Sequence, residues 1–199
     1  MDDLNEKALV ERVVAGNRDA FIELIERYER LVQHVVFRMV KDKRDREELC
    51  QDVFVKVHRA LDGFRFESKL STWIARIARN TCLNHLEKKD LPLYADHAPP
   101  LDDEDHKGDP IERVASGAEG PAEQTADQEI TDFIHQEIDN LPEHYRTALT
   151  LYHLEGMSVQ DVAAAMGNPP GTTKSHLYRA REKLKDRLLD VYSEEELPL

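Results

Sequence analysis

The sequence predicts an all-α chain made of two small helical domains joined by a long acidic linker, and three observations carry that reading. Apolar residues recur at i, i+3, i+4 and i+7 over several separate stretches, while no strand-length run alternates apolar with polar. Charged residues make up 34% of the 199 and aromatic residues only 7%, which suits aliphatic helix packing better than a large buried sheet. Residues 90–126 gather five of the nine prolines and three of the eight glycines around a single aromatic, Tyr94. Such a stretch buries too little apolar surface to offset the entropy of ordering its backbone, and it is far longer than an ordinary connection. The expected division is therefore a first domain over 1–89, a flexible linker over 90–126 and a second domain over 127–199.

Taken in order, a short helix over Glu6–Ala15 breaks at Gly16-Asn17. Residues 19–40 then place Phe21, Leu24, Ile25, Tyr28, Leu31, Val32, Val35, Val36 and Met39 on one stripe. Asp45 opens a third helix carrying Leu49, Val53, Val57, Ala60 and Leu61 inward, and Gly63 stops it. The loop Phe64-Arg65-Phe66-Glu67-Ser68-Lys69 leads to a fourth helix from about Ser71 to Glu87, with Trp73, Ile74, Ile77, Ala78, Cys82, Leu83 and Leu86 apolar.

Past the linker, Ile130, Phe133, Ile134 and Ile138 form one face. Leu141-Pro142-Glu143 starts a helix running through Tyr145, Leu149 and Leu151 to Glu155-Gly156, with proline at a first-turn position. Ser158 with Asp161 three residues on is a capping signature. Gly167 ends that helix, and Thr172 is placed to cap the next, whose Leu177, Ala180 and Leu184 point inward. A helix, a four-residue Gly/Pro turn and a basic helix together make the sequence form of a helix-turn-helix.

The net charge of −13 conceals a division. Residues 90–143 hold 16 Asp and Glu against Lys107 and Arg113, a net of −14, which leaves +1 for everything else. Within that remainder, 171–187 and 69–89 each carry a net of +4. Two cationic patches separated by an acidic spacer form an electrostatic footprint for nucleic acid.

Other chemistries find no support. Cys50 and Cys82 have no CxxC or Cys/His companion, which excludes a disulfide scaffold and fits a reducing compartment. The nine histidines form no metal-ligand spacing, and there is no phosphate-binding glycine loop, nucleophile elbow or dinucleotide fingerprint, so neither cofactor nor catalysis is expected. No run approaches a membrane span and the acidic start MDDLNEK lacks a basic leader, so the chain is expected to be cytoplasmic and not membrane-inserted.

The second helix of a helix-turn-helix lies in the major groove with its first residues at base edges. Its outward set here is Thr173, Lys174, His176, Tyr178 and Arg179, with Arg181, Lys183 and Lys185 further along and Thr172 and Ser175 suited to phosphate. A merely solvated basic face is the competing reading. In the first domain Lys69, Arg76 and Arg79 accompany Phe64, Phe66 and Trp73, and Asn80 and Asn84 follow one turn apart. Cations that track a backbone and rings that stack on bases hold single strands, and a carboxamide reads the edge of an extruded base. Trp73 serves a core equally well, and Phe64 or Phe66 could simply close the loop.

At this point the residues resemble a known family, the extracytoplasmic-function (ECF, group 4) sigma factors of bacterial RNA polymerase. The resemblance covers roughly 5–89 and 128–188. It rests on Glu48-Leu-Cys-Gln-Asp-Val-Phe-Val-Lys-Val-His-Arg-Ala-Leu-Asp-Gly-Phe64, Ser71-Thr-Trp-Ile-Ala-Arg-Ile-Ala-Arg-Asn-Thr81, Leu141-Pro-Glu-His-Tyr-Arg146 and Pro170-Gly-Thr-Thr-Lys-Ser-His-Leu-Tyr-Arg-Ala-Arg-Glu182. It implies a stress-response type of transcription initiation factor that binds the two largest subunits of core RNA polymerase and promoter DNA and performs no bond chemistry. It further implies a first domain (region 2) on the polymerase clamp, with Glu48, Gln51, Asp52, Val55, Lys56 and Arg59 as contacts. The unpaired −10 element would be captured by Phe64, Arg65, Lys69, Ser71, Arg76, Arg79, Asn80 and Asn84.

The second domain (region 4) would read the −35 element with Thr172, Thr173, Lys174, Ser175, His176, Tyr178, Arg179 and Arg181. By the same resemblance the acidic linker would thread toward the RNA exit path. An anti-sigma factor, often membrane-bound, would hold the protein inactive at the inner face of the membrane. Thr173 and His176 depart from the aliphatic and Arg residues common in relatives. The alternative is a free-standing helix-turn-helix regulator that does not bind polymerase.

Overall fold

The structure, a computed structural model, describes residues 2–90 and 133–192. All its regular elements are helices, and no strand occurs among the described residues. The greater part of the linker expected over 90–126 lies outside them; Asp90 itself is the last residue of a helix.

Helix α1 (Asp2–Val14) buries Leu9, Val10 and Val13. It ends where Gly16 takes a left-handed φ of 84°, and the Asn17 amide donates back to the Arg12 carbonyl at 3.0 Å. The Asn17 side chain then caps α2 (Arg18–Met39) by accepting from the Ala20 amide at 2.9 Å. The expected stripe is the buried one: Leu24, Tyr28, Leu31, Val32, Val35, Val36 and Met39 all face inward.

Helix α3 (Lys43–Ala60) starts two residues before Asp45, because Asp42 is the side chain that caps it, accepting from the Arg44 amide at 3.0 Å. Its inward residues are Leu49, Val53, Phe54 and Val57, and a 3₁₀ turn (Leu61–Gly63) carries it to the loop over 64–69. Helix α4 (Leu70–Asp90) packs against both α2 and α3. Aliphatic side chains such as Leu24, Val32, Val53 and Ile74 are wholly enclosed, and each contributes about 1.5–3 kcal/mol by leaving water.

The second unit comprises α5 (described from 133 to 140), α6 (Glu143–Leu149), a π-helical turn (Thr150–Leu154), α7 (Val159–Met166) and α8 (Pro170–Val191). The π turn interrupts what the sequence reads as one continuous helix. The Ser158 cap forms as expected, its Oγ accepting from the Asp161 amide at 3.1 Å, and Gly167 closes α7 with φ 66°. Thr172 does not cap α8: that helix begins earlier, with Pro169 at the cap and Pro170 in its first turn.

The two units touch. Helix α4 packs on α7, and α2 packs on α6 and the π turn. Polar pairs cross the seam: Arg38 with Asp139, His34 Nδ1 with the Glu155 carboxylate, and Lys69 Nζ with Asp161 at 2.9 Å. No described helix is long and apolar enough to cross a membrane.

Candidate nucleic-acid and polymerase interfaces

On α8 the helical period sorts the candidates. Thr173, Leu177 and Ala180 point inward, while Thr172, Lys174, Ser175, Tyr178, Arg179 and Arg181 stand exposed. Thr173 is therefore withdrawn from the set expected to touch DNA: it is wholly enclosed, and its Oγ1 has no hydrogen-bond partner among the described residues. His176 is half-buried in an aromatic cluster, its ring centroid 4.8 Å from His144 and 5.4 Å from Tyr145. Burial, and then the neighbouring His144 and Arg179, hold its pKa below the ordinary imidazole value, so His176 packs α8 onto α6 as a neutral ring.

Arg181 is exposed but stacks its guanidinium over Tyr152 at 5.4 Å, and Arg187 is engaged by Glu137 at 2.9 Å. Lys174, Tyr178 and Arg179 remain at the start of the helix, with Tyr178 64% exposed. The Ser175 hydroxyl donates to the Gly171 carbonyl at 3.1 Å.

On α4, Arg76, Asn80 and Asn84 share an exposed stripe at four-residue spacing, with Ser71 and Arg79 half-buried beside it. The Arg79 Nε is enclosed without a partner among the described residues. In the preceding loop Arg65 and Lys69 are exposed, but Phe64 is not. Its ring is buried at 8% exposure, 5.2 Å from Trp73, so it props the loop from within and is withdrawn as a direct contact. The exposed ring of the loop is Phe66, which the residue pattern set among the rings suited to stacking but the contacts implied by the resemblance left out. It rests 4.7 Å from Phe64 and has a positive φ of 58°, which a phenylalanine codon does not announce.

One further residue went unforeseen as a site component. Asp161 reaches across the seam, accepting from Lys69 Nζ at 2.9 Å and from the Thr72 hydroxyl at 3.2 Å. Burial alone would raise its carboxyl, but hydrogen bonds from Lys69, Ser158 and Thr72 hold it below the usual carboxylate value. The sequence signals Asp161 only as a capping residue.

On α3, Glu48, Gln51, Asp52, Val55, Lys56 and Arg59 are all exposed, Val55 at 46%. Lys56 is also tied to α4 by donating to Thr81 Oγ1 at 3.1 Å. The thiols lie behind this face. Burial pushes Cys50 up to about 11 and Cys82 up to about 12, so both stay protonated at neutral pH.

These exposed surfaces fall within two matched regions: the Sigma-70 region 2 family matches residues 24–91, and the Sigma-70, region 4 family matches residues 134–184. The chain belongs to the sigma-70 family. Among full-length relatives it is 36% identical to the RNA polymerase sigma-H factor of Pseudomonas aeruginosa, over 95% of this chain and 96% of that protein. It is 34% identical to the ECF RNA polymerase sigma-E factor of Haemophilus influenzae, over 94% of this chain and 97% of that one. This is thus an ECF-type sigma factor.

Solved structures share the fold. CnrH in complex with the cytosolic domain of CnrY matches with a TM-score of 0.63 at 20% identity, over 93% of this sigma factor and 97% of that chain. The sigma factor RpoE in complex with the anti-sigma factor NepR from Bartonella quintana gives 0.60 at 22% identity, over 86% and 97%.

Proposed function

We propose that this ECF sigma factor directs core RNA polymerase to its promoters by gripping them at two separate points. Residues 1–89 act as one domain and 127–199 as the other, with 90–126 as the tether. The observation that carries this is the pairing of two exposed polar stripes on different helical units, Arg76, Asn80 and Asn84 on α4 and Lys174, Tyr178 and Arg179 on α8. The α8 stripe leads its helix, where side chains reach base edges and phosphates of the −35 duplex. The α4 stripe combines a cation with two carboxamides beside the Phe66 loop, a surface suited to the unpaired −10 strand.

The exposed face of α3 around Val55 docks on the polymerase clamp. Melting needs no bond chemistry: bases trapped after they unstack, together with phosphate contacts, draw the duplex open. An anti-sigma factor fits as a second partner, since a related sigma factor was solved with one. The cytoplasm is then the working compartment.

Gel filtration with core polymerase, followed by run-off transcription on a genomic promoter library, tests the reading. Co-elution and discrete start sites are expected; a chain that elutes apart from polymerase is a free-standing regulator. On a promoter so found, Arg179→Ala should lower transcription about tenfold or more, in line with about 1–3 kcal/mol for a base-reading arginine. The deficit should vanish on a template with a scrambled −35. Asn80→Ala should leave polymerase binding intact and reduce permanganate reactivity of the promoter thymines.

A further inference from the structure

We propose that the cleft where α2, α3 and α4 meet α6 binds a small phosphate compound, free phosphate or a phosphate ester, through Arg146 and Lys41. The cleft uses none of the residues assigned to the promoter or to polymerase and does not depend on those assignments. Its volume is about 320 Å³, at the small end of the range in which ligand pockets fall. Met39, Val40 and Leu86 supply an apolar wall, and Lys41, Asp42, Asp45, His85, Lys89 and Arg146 supply the polar lining.

Three arginines gather beside this cleft with one carboxylate between them. Arg38, buried on α2, takes the Asp139 carboxylate. Arg146 is 8% exposed and donates only to the Asp139 backbone carbonyl, and its Nε is enclosed with no partner among the described residues. Half-buried Arg46 donates to the Val40 carbonyl at 2.7 Å and the Phe37 carbonyl at 3.4 Å, with its guanidinium 5.1 Å from the Phe37 ring centre. Among the described residues, the charges of Arg46 and Arg146 are therefore held by neutral groups alone. Burial foremost, and then the Arg38 and Arg46 charges, pull the Arg146 pKa below the ordinary guanidinium value; Asp139 and Glu143 oppose them and do not prevail. An enclosed cation without a counter-charge is costly, and an arriving anion removes that cost.

The carboxylates in the lining are already engaged. Asp42 caps α3 and accepts from Lys89 at 3.4 Å, while Asp45 accepts from Lys89 at 2.8 Å and meets His85 Nε2 at 3.0 Å. Lys41 stands exposed at the cleft with no ion pair among the described residues. A guanidinium suits the oxygens of a phosphate, and an ammonium adds a point charge. The charge matches as well: a phosphate monoester carries about two negative charges at neutral pH, against two guanidiniums that lack one. Lys41 belongs to the first unit and Arg146 to the second, so a phosphate held by both spans the seam.

Calorimetric titration of the full-length chain at constant ionic strength compares inorganic phosphate, glycerol phosphate and acetate. One saturable site is expected, with either phosphate bound about tenfold or more tightly than singly charged acetate. The tighter of the two phosphates identifies the source, since only an ester gains from the apolar wall. Arg146→Met keeps the bulk of the stem and removes the charge, and should weaken phosphate binding about tenfold or more. Lys41→Glu alters an exposed side chain, so folding survives, and should weaken it about threefold. Circular dichroism checks both variants, and if Arg146→Met does not fold, Lys41→Glu decides. No saturable phosphate binding, affinity no better than that for acetate, or wild-type affinity in Lys41→Glu or in a folded Arg146→Met overturns the proposal. None of these results touches promoter or polymerase binding, so the site can fail while the two-point reading stands.

Discussion

Thr173→Val separates an inward from an outward α8 residue. Thr173 is wholly enclosed, and its hydroxyl has no partner among the described residues. A buried donor left unpaired costs about 1–3 kcal/mol, whereas a methyl group of the same shape in its place costs nothing of the kind. Helix propensities of Thr and Val are close, so the exchange should stabilise the protein by about 1 kcal/mol and raise Tm by a few degrees. Thr173→Ser, which keeps the hydroxyl and removes the methyl, should destabilise by a similar amount or more, from about 0.8 kcal/mol per lost methylene-sized group plus the cavity left behind. Urea unfolding followed by circular dichroism measures both, and run-off transcription on a promoter active with the wild type measures function. Thr173→Val should transcribe as the wild type does. Loss of stability in Thr173→Val, or normal stability with transcription lost, would show that the hydroxyl has a partner or contacts DNA, and the inward assignment of Thr173 would fall.

The remaining expectations concern the seam, the histidine cluster and the polymerase face. Asp161→Asn keeps the shape of the cap but removes the charge opposite Lys69, whose side chain is 62% exposed; the pair is worth about 0.2–1 kcal/mol. Intramolecular energy transfer between dyes on the two units should fall in this variant, and an unchanged signal would show that Asp161 does not hold them together. Because the Asp161 carboxyl is depressed, its contribution is complete above about pH 4 and fades only as pH drops through the lowered value, so the difference in transfer between wild type and Asp161→Asn should hold constant from neutrality down to that point. His176 is also depressed, by burial and then by His144 and Arg179, so the unfolded chain takes up the proton first. Stability from this group is present above about pH 6.5 and is lost as pH falls below it. His176→Gln should flatten that slope in pH-dependent unfolding, with the remainder set by His153, depressed by burial and by Arg181. Val55→Asp places a charge on a side chain 46% exposed, so folding should survive while affinity for core polymerase drops about tenfold; undiminished co-elution would move the docking face elsewhere.

Most of the helical architecture was legible because it depends on period and punctuation. The α2 stripe from Leu24 to Met39, the Ser158 cap and the left-handed Gly167 all lie where apolar spacing and turn chemistry place them. The errors have local causes. Asp42 competes with Asp45 for the α3 cap, and composition cannot say which reaches an amide. Thr173 was read as outward because a basic, hydroxyl-rich helix start suggests DNA, yet the phase set by Leu177 and Ala180 places it inside. Phe64 and Phe66 differ by the sign of one backbone angle, which depends on how the loop closes over Trp73. The seam was hidden altogether, because Lys69 and Asp161 are 92 residues apart and each has an adequate local explanation.

That seam bears on how the two grips can work together. The promoter elements are named for positions about 25 base pairs apart, about 85 Å of B-form duplex at 3.4 Å per base pair. In this structure α4 lies against α7, and the Lys69 and Thr72 side chains beside the stripe proposed for the −10 strand are occupied by a carboxylate from the helix just before α8. No straight duplex presents both elements to surfaces in that arrangement, so on the proposed reading the seam opens before Lys69 meets promoter phosphate. The intervening chain does not forbid separation: residues 91–132 number 42 and reach at most about 140–150 Å at 3.3–3.6 Å each. The partly exposed Lys69–Asp161 pair resists it little, since it exchanges its partner for water at little cost, whereas the buried Arg38 of the Arg38–Asp139 pair resists it more. On the proposed reading, a polymerase that holds the α3 face at one point and α8 at another gains two binding surfaces and gives up the helix packing and ion pairs of the seam. On that reading phosphate at Lys69 would replace the carboxylate of Asp161 with another anion, so the Lys69 cation would be neutralised both before and after opening.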